Sequence, residues 1–532
     1  METPHATIKS SNWRNRYGIL LLSLVIIMLG LMALNPLALN VDSALYLEVG
    51  RYLLDGRVPY VDYIELNPPL IHYINVLPVF LGNIFNINPI ITYKILVLAV
   101  VAYACLMSYG LLQRSKVRNN LPIALLLPSL ILFATLLDFP DFGQRDHLIS
   151  LVLIPWLIVR TGRYDGDTIG RGQALLIGFL AAIGIALRPY FVVPLALIEI
   201  YYLLKYRQLS HIFRPETLTV ILVGVLYIAH FALLPEAARS AFFNDLIPYV
   251  QDNYSSYALF SGEQFWLLMN ARYLHLIYIF IAGIVLYWGL PHIYRTALMM
   301  PLALFAAGAY AVYLYQQLGF SYQAMPFILA VIIIWGIVLQ GYWRAFADKA
   351  TFSLPLTILR PLLIVFVLTS VILIVLLNIG IRILNSPPPP TASIALIASL
   401  TEPDDAIFIV DTDLTSIFPM LIQIDRHLDM SYLQAFPIAF GIFDYDTPND
   451  LYGVEPLPDD VQNYLAILAD DIEKYEPPLI LIRTEECYAC PSNFNINTML
   501  QTNGFIDQYL SMYDILESGT LADFMIYRRM DS

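Results

Sequence analysis

Hydrophobic residues fill most of this chain in long runs with few charges, and short polar segments separate the runs. A helix needs roughly 17 to 25 apolar residues to cross a bilayer, and most of these runs reach that length. The runs cover residues 17–35, 90–112, 121–137, 148–162, 173–187, 190–206, 217–234, 268–290, 296–314, 324–342 and 361–384. The pattern predicts a polytopic α-helical membrane protein with about eleven transmembrane helices.

The stretch between the first two runs has a different pattern. Asp42 stands near its start, and the apolar positions that follow recur at the spacing of one helix face. These positions are Leu45, Tyr46, Val49, Tyr52 and Leu53. Asp55 and Gly56 are typical of a helix end, and a turn with Asp62, Glu65 and two prolines follows. We predict an amphipathic helix on the bilayer surface, with Asp42 as a candidate for both its N-cap and a reactive carboxylate, and then a tight acidic turn.

Basic residues set the orientation of the predicted spans, because loops rich in Lys and Arg stay in the cytoplasm. Basic residues precede the first run and follow the second, fourth, sixth, eighth and tenth. The N-terminus is therefore expected in the cytoplasm, and an odd number of spans places the C-terminal part outside. The predicted outer loops are residues 36–89, 138–147, 187–190, 235–267 and 315–323.

Charge divides the chain into two parts. After residue 382 the sequence carries 24 acidic and 5 basic residues, whereas the remainder carries 18 and 24. We predict a transmembrane domain at 1–384, a stiff proline-rich linker at 385–391 and an extracytoplasmic α/β domain at 392–532. In that domain strands are expected at 406–410, 478–483 and 525–528, and a helix at 461–475. Its acidic balance argues against nucleic acid as a partner, since phosphates would be repelled.

The three cysteines add little chemistry. Cys105 lies in an apolar run and is expected to pack there. Cys487 and Cys490 form a single CxxC, which lacks the four ligands of a structural zinc site. A local disulfide is expected there if this part of the chain lies outside the cytoplasm.

The loop at 138–147 concentrates polar chemistry between two apolar runs. It holds three acids, an arginine and a histidine within ten residues, where desolvated charge is costly and therefore points to function. Arg145 is a candidate for binding phosphate, with pairing to an acid as the alternative. His147 begins the next helix and is a candidate for binding substrate, with a role in the helix cap region as the alternative.

Other polar groups stand in the remaining outer loops. Arg188 is a second candidate for binding phosphate. The alternative is that Arg188 only snorkels, with its charged group at the membrane–water interface. Gln317 and Tyr322 belong to a cluster of amide and hydroxyl groups suited to a hydroxyl-rich or phosphate ligand. Among the acids of the first outer loop, Glu65 is assigned to substrate binding, whereas Glu48 is expected to be simply solvated.

The first outer loop carries a distinctive series of residues. They are Asp42, Tyr46, Gly50, Leu53, Leu54, Gly56, Pro59, Tyr60, Asp62, Asn67, Pro68, Pro69 and Leu70. This series resembles the first outer loop of the GT-C glycosyltransferases, which include the protein O-mannosyltransferases and the aminoarabinose transferases of lipid A. The runs GQRDHL at 143–148 and QQLGFSYQAMP at 316–326 also resemble loop signatures of bacterial members. The resemblance implies many spans, often a C-terminal periplasmic domain, and a sugar donor carried on polyprenyl phosphate or pyrophosphate.

The resemblance also implies roles for single residues. Asp42 matches the acid of the family's first loop, the base that deprotonates the acceptor hydroxyl. The family often has Asp-Glu at this point, but Ser43 follows Asp42 here, so a two-acid site is absent at that spot. Some members hold a divalent metal ion with loop acids, and Asp138 and Asp141 would be its ligands here.

The function predicted from these features is transfer of a sugar, with inversion, from a polyprenyl-phosphate donor to a hydroxyl of a glycan, lipid or protein. The protein would act at the outer face of a bacterial inner membrane among membrane lipids, with Arg145 and Arg188 stabilising the leaving phosphate. One alternative is a transporter or flippase of lipid-linked saccharides, which predicts polar residues near the span centres, where charged residues are avoided here. Another is a non-catalytic membrane scaffold, in which the loop carboxylates would be scattered.

Overall fold

A computed structural model describes most of the chain. The described residues are 11–115, 123–253, 274–316, 320–348, 391–442, 452, 456–491, 494–516, 521 and 523–530. The longer helices are α1 (Ser11–Leu34), α2 (Val41–Leu54), α3 (Leu70–Phe85), α4 (Pro89–Arg114), α5 (Ile123–Leu137), α6 (Arg145–Tyr164), α7 (Arg171–Leu187), α8 (Val192–Tyr206), α9 (Pro215–His230), α10 (Glu236–Ser240), α11 (Ile247–Asn253), α12 (Leu274–Gly289), α13 (Met299–Gln316) and α14 (Met325–Ala347). Towards the C-terminus follow α15 (Thr391–Leu400), β1 (Ile407–Val410), α16 (Met420–Gln423), α17 (Phe436–Ile442), α18 (Asp459–Tyr475), β2 (Leu479–Arg483), α19 (Ile496–Thr502), α20 (Phe505–Tyr509), β3 (Tyr513–Leu516) and β4 (Phe524–Arg529).

The chain divides into two compact units, each built from stretches that are far apart in the sequence. The first unit comprises residues 1–36, 95–230 and 262–384, and the second comprises 37–94, 231–261 and 385–532. The residues after the first span and the C-terminal part therefore belong to the same unit. The domain boundaries expected from the sequence stay a prediction.

Several helices have the length and apolarity that a bilayer requires. Five of those in the described ranges are long and apolar enough to cross a membrane: Tyr17–Leu34, Pro89–Arg114, Pro215–Leu233, Met299–Gln316 and Ser321–Phe346. The first and third of these segments expose most of their apolar side chains, as helices facing lipid do. The chain is thus an integral membrane protein. Each predicted apolar run within the described residues coincides with a helix, but the run at 361–384 lies outside them, so the total of about eleven spans stays a prediction.

Close packing in the first unit depends on a small residue and on paired charges. Gly308 of α13 lies so near α8 that a Cβ there would come within 2.6 Å of Pro194 Cα. Arg160 of α6 is fully buried and donates hydrogen bonds to Glu199 at 2.6 and 2.8 Å and to Glu216 at 3.1 Å. Because a buried charge is tolerated only with a partner, this network joins α6, α8 and α9 firmly.

In the second unit, α2 forms where the apolar spacing predicted it and ends at the expected residues. Asp55 caps its C-terminus, and Gly56 follows with φ of +83°. The helix packs against α3, and a Cβ at Gly50 would lie 2.4 Å from the backbone oxygen of Asn75. Only glycine permits so close a crossing of two helices.

The polar face of α2 is covered by protein. Glu48 is 2% exposed and is approached by residues 427–429, so the expectation that it is solvated is wrong. The N-cap of α2 is Asn40, whose side-chain oxygen accepts a hydrogen bond from the backbone N–H of Asp42 at 3.0 Å. The prediction of Asp42 as the N-cap is therefore also wrong, because Asp42 lies inside the first turn.

The C-terminal part contains a four-stranded mixed sheet in the order β1–β2–β4–β3. Strand β1 pairs in parallel with β2, and the other two pairings are antiparallel. The predicted strands and the helix α18 are confirmed with small shifts at their ends, whereas β3 was not predicted. The expected disulfide between Cys487 and Cys490 is present. The linker residues 385–390 lie outside the described residues.

Candidate functional site

Asp42 projects from the first turn of α2 in the second unit and is partly exposed. Acidic residues are common in the first turn of a helix, because the helix N-terminus carries a partial positive charge. Its neighbour Ser43 is buried, and the Tyr93 hydroxyl donates a hydrogen bond to Ser43 Oγ at 3.4 Å. The start of α2 is therefore held against the start of α4.

Lys94 is a charged residue to which no role was assigned from the sequence. It follows Tyr93 in α4 and is 8% exposed, although it belongs to a helix apolar enough to cross a membrane. An ionisable residue in such a helix is costly and usually serves a function. The signal that could have found it is a single lysine inside an otherwise apolar run.

Glu65 and His72 form a buried pair that organises the turn after α2. His72 Nε2 donates to Glu65 Oε2 at 2.8 Å, and Asn67 donates to both carboxylate oxygens, through its backbone at 2.8 Å and its side chain at 2.6 Å. Burial alone would raise the pKa of Glu65, but the hydrogen bonds and the charge of these partners bring the pKa below its usual value. The Tyr60 hydroxyl donates to the Asn67 carbonyl at 2.7 Å. Glu65 is thus an ionised carboxylate whose acceptor sites serve the turn itself, and its assignment to substrate binding stays a prediction.

A second ionic cluster lies at the middle and end of α2. Arg51 donates to Glu48 at 2.7 Å and to Asp429 at 2.9 Å, and Arg57 also pairs with Asp429. Burial raises the pKa of Glu48, but Arg51 and His427 outweigh it and hold the pKa at about 2. This cluster was missed because its partners stand more than 370 positions apart in the sequence.

In the first unit, the loop at 138–147 surrounds a neutral histidine. A backbone N–H can only donate, so Gly143 donates to His147 Nδ1 at 3.2 Å. The remaining ring proton is therefore on Nε2, which donates to Thr135 Oγ1 at 3.1 Å. Both ring nitrogens of His147 serve the protein, and its role in substrate binding stays a prediction. Arg145, in the same turn of α6, is 7% exposed.

Arg188 is held in a fixed orientation between α7 and α8. Its Nε lies 3.1 Å from Asp146 Oδ2, Nη1 donates to Gln316, and the guanidinium lies 5.8 Å from the centre of the Tyr322 ring. The structure therefore brings together Arg188 and Tyr322, two of the residues singled out from the sequence. Gln317 lies outside the described residues.

The metal assignment is not supported by a ligand cluster. Among the described residues no group of three or more His, Cys, Asp or Glu side chains is arranged to hold a metal ion. Asp138 precedes the short turn Phe139–Asp141, Asp141 is its last residue, and both are largely buried. Their role as metal ligands stays a prediction.

These features define a class: a polytopic helical membrane protein with a mixed β-sheet in its C-terminal part. No protein-family model matches the chain, and no curated protein matches it in sequence. Among solved structures, ArnT from Cupriavidus metallidurans bound to undecaprenyl phosphate is similar over 97% of this chain and 98% of its own, with a TM-score of 0.55 and 12% identity. The same protein in the apo state gives a TM-score of 0.53 and 13% identity over the same shares.

An oligosaccharyltransferase from Archaeoglobus fulgidus in the apo form is similar over 88% of this chain and 69% of its own, at 12% identity. Its TM-score of 0.42 does not establish a shared fold. The likeness to ArnT extends over almost the whole of both chains, and at this identity it shows the fold. The kind of fold that the resemblance of the first outer loop implied, a helical membrane part followed by a C-terminal α/β part, is therefore confirmed.

Proposed function

We propose that the protein is an inverting glycosyltransferase that moves a sugar from a polyprenyl-phosphate donor to an acceptor hydroxyl at the outer face of the membrane. The observation that carries this proposal is the agreement in fold, over 97% of the chain, with a protein solved in complex with undecaprenyl phosphate. The residues of the first outer loop support it independently, because they resemble the same class of transferases.

Asp42 is the proposed general base. It takes the proton of the acceptor hydroxyl as the oxygen attacks the anomeric carbon, and the bond from that carbon to the phosphate oxygen breaks on the opposite side. A base must sit on a rigid element to act at a defined distance. The position of Asp42 in the first turn of a packed helix, fixed by Asn40 and by the contact of Ser43 with Tyr93, supports this role.

The leaving polyprenyl phosphate gains negative charge, which cations must stabilise. Arg145 and Arg188 are the proposed phosphate ligands. The contacts of Arg188 support its role as a phosphate ligand. They already orient its guanidinium, so that little side-chain entropy is lost when the phosphate binds. Lys94 is a third candidate cation, since a lysine in an apolar helix costs free energy and usually serves a function.

The remaining assignments concern substrate recognition. Glu65, His147, Gln317 and Tyr322 are proposed to shape the substrate site, and the acceptor is a glycan, a lipid or a protein. If a divalent metal ion takes part, Asp138 and Asp141 are the proposed ligands. Carboxylates are suitable ligands for such an ion, which would assist the departure of the phosphate.

The test is transfer by purified protein in detergent or vesicles, with a panel of polyprenyl-phosphate sugars and radiolabelled acceptor extracts. Wild-type protein is expected to transfer sugar from at least one donor, and Asp42→Asn to lose transfer by about a thousandfold or more, because the carboxamide cannot accept the proton. Asp507→Asn is the matched control, since Asp507 is an exposed acid in the first turn of another helix, α20. Full transfer by Asp42→Asn would remove Asp42 from the mechanism, and no transfer from any donor would refute the proposed function.

A further inference from the structure

Residues 422–432, here called the 422–432 segment, connect the sheet with the first outer loop inside the second unit. On one side the segment lies along the edge of β1. Ile407 donates its backbone N–H to the His427 carbonyl at 2.8 Å, and His427 donates to the Asp405 carbonyl at 3.1 Å. The segment is therefore attached through His427 to the start of the edge strand β1.

On its other side the segment contacts residues before and after α2. The Gln423 side chain donates to the Leu37 carbonyl at 2.9 Å, ahead of the helix. Ile64, beyond the helix, donates its N–H to the Ser431 carbonyl at 2.7 Å. Ser431 itself is fixed by Asp471 of α18, at 2.7 Å through its N–H and 2.8 Å through its hydroxyl.

The middle of the segment contacts α2 directly. Leu428 donates its N–H to Glu48 at 3.0 Å and accepts a hydrogen bond from the Tyr52 hydroxyl at 2.7 Å. Glu48 and Tyr52 are both almost fully buried, so water does not compete for these bonds. Because the Leu428 backbone both donates to α2 and accepts from it, this contact fixes the position of α2 along its axis and its rotation about that axis.

Ion pairs add to the contact between the 422–432 segment and α2. Asp429 pairs with Arg51 on α2, at 2.9 Å, and with Arg57 just after it. Arg51 also pairs with Glu48, so one guanidinium bridges the helix and the segment. Since Glu48 is buried, the loss of either carboxylate leaves a cation without its full set of partners in a site of low polarity.

We propose that the 422–432 segment positions α2, and with it the base Asp42, for the transfer step, so that Glu48 and Asp429 are positioning residues. This inference rests on the proposed function. It follows from the distribution of the contacts, because the segment touches the chain ahead of α2, along it and beyond it. Asp42 is then aligned by residues that follow it by almost four hundred positions in the sequence.

The experiment compares three variants of the full-length protein: Glu48→Gln, Asp429→Asn and the control Glu476→Gln. Glu476 pairs with Arg529 at 2.7 Å within the C-terminal part, so the control removes an ion pair that does not involve the first outer loop. Two quantities are measured: kcat and donor KM in the transfer assay, and amide hydrogen exchange across residues 41–64.

In Glu48→Gln and Asp429→Asn, kcat is expected to fall by about tenfold to a hundredfold while the donor KM stays unchanged, because none of the proposed phosphate ligands Lys94, Arg145 and Arg188 is on α2. Exchange of the amides at 41–64 is expected to accelerate, with β1 and β2 still protected. Asp429→Glu should recover part of kcat, since it restores the charge. The control should match wild type in both measurements.

Equal kcat and equal exchange at 41–64 in all three variants would overturn the inference, as would a rise in donor KM without a change in kcat. If Asp429→Asn does not fold, Gln423→Ala removes a neutral contact of the same segment, and the same change in exchange is expected close to Leu37. A wild-type protein that transfers no sugar refutes the proposed function and the role in transfer together. Unchanged exchange with active wild-type protein refutes the positioning role alone.

Discussion

At the scale of single residues, Arg188 is a buried cation whose orientation is fixed by contacts within the protein. Its Nε contacts Asp146 and its Nη1 contacts Gln316, so its plane is set before anything binds. The ammonium group of a lysine at this position could not reproduce these contacts, because it lacks the planar arrangement of donors that a guanidinium has. The sequence indicated the position of Arg188 in an outer turn, but its partners come from two other helices and had no signal in the local pattern.

Arg188→Lys is therefore expected to raise the donor KM about tenfold or more, with a smaller effect on kcat, as measured in the transfer assay. Arg163→Lys is the matched control. Its Nε lies 3.1 Å from Glu216, and its side chain is 10% exposed, compared with 3.1 Å and 9% for Arg188. Arg163→Lys should leave the donor KM unchanged, and an equal rise in both variants would mean that Arg188 acts only through stability.

Glu48 gives a prediction that depends on pH. Its pKa is held at about 2, below the ordinary value of 4.5, so its stabilising contribution is complete above pH 4.5 and is lost as pH falls towards 2. The difference of more than two pH units corresponds to about 3 kcal/mol. Wild-type protein should exceed Glu48→Gln in thermal stability at pH 7, and this advantage should shrink between pH 4.5 and 2. An advantage that persists unchanged at pH 2 would contradict an ionised Glu48.

At the scale of elements, local sequence patterns predicted the positions of helices and strands well. They did not predict which faces of those elements other parts of the chain would cover. The spacing of apolar residues located the helices α2 and α18, and apolar runs located the strands β1, β2 and β4. The edge strand β3 was not predicted, since Asp514 and Ile515 at its centre are exposed, whereas all four residues of the equally short edge strand β1 are buried. The burial of the polar face of α2 was also not predicted, because the 422–432 segment that covers it is remote in the sequence.

The crossing of α2 with α3 leads to a prediction at this scale. Gly50→Ala places a Cβ 2.4 Å from the Asn75 oxygen, so the helices must separate. Thermal unfolding should show a loss of about 1 to 3 kcal/mol, and transfer should fall with it because Asp42 is on the same helix. Gly110→Ala in α4, where a Cβ meets no atom within 4 Å, is the control and should be neutral or slightly stabilising. Equal stability of the two variants would contradict the close crossing.

At the scale of the whole molecule, hydropathy predicted the membrane helices, and the charge difference predicted a separate acidic part. The division into two units was not predictable in the same way. The second unit is assembled from three stretches, and no composition boundary marks residues 37–94 or 231–261 as belonging with the C-terminal part. Only long-range pairs such as Tyr52 with Leu428 reveal that association.

The orientation in the membrane remains a prediction, and it can be measured at this scale. Single cysteines at Glu402 and Arg207, two exposed positions, are treated with a maleimide that does not cross membranes, in a background in which Cys105, Cys487 and Cys490 are all replaced by Ser. Labelling of intact cells is expected at position 402 and not at position 207, because basic loops stay inside. Permeabilised cells should show labelling at both positions, and the reverse pattern in intact cells would place the acidic part in the cytoplasm.

Because the second unit is assembled from stretches that are far apart in the sequence, its parts are synthesised at different times. Tyr52 and Leu428 are separated by 376 positions, which a ribosome translates in about 20 to 75 seconds. Throughout that interval the helix with Asp42 has emerged without the partners that later enclose Glu48 and Arg51. The nascent loop must therefore remain without these partners until synthesis has passed residue 428.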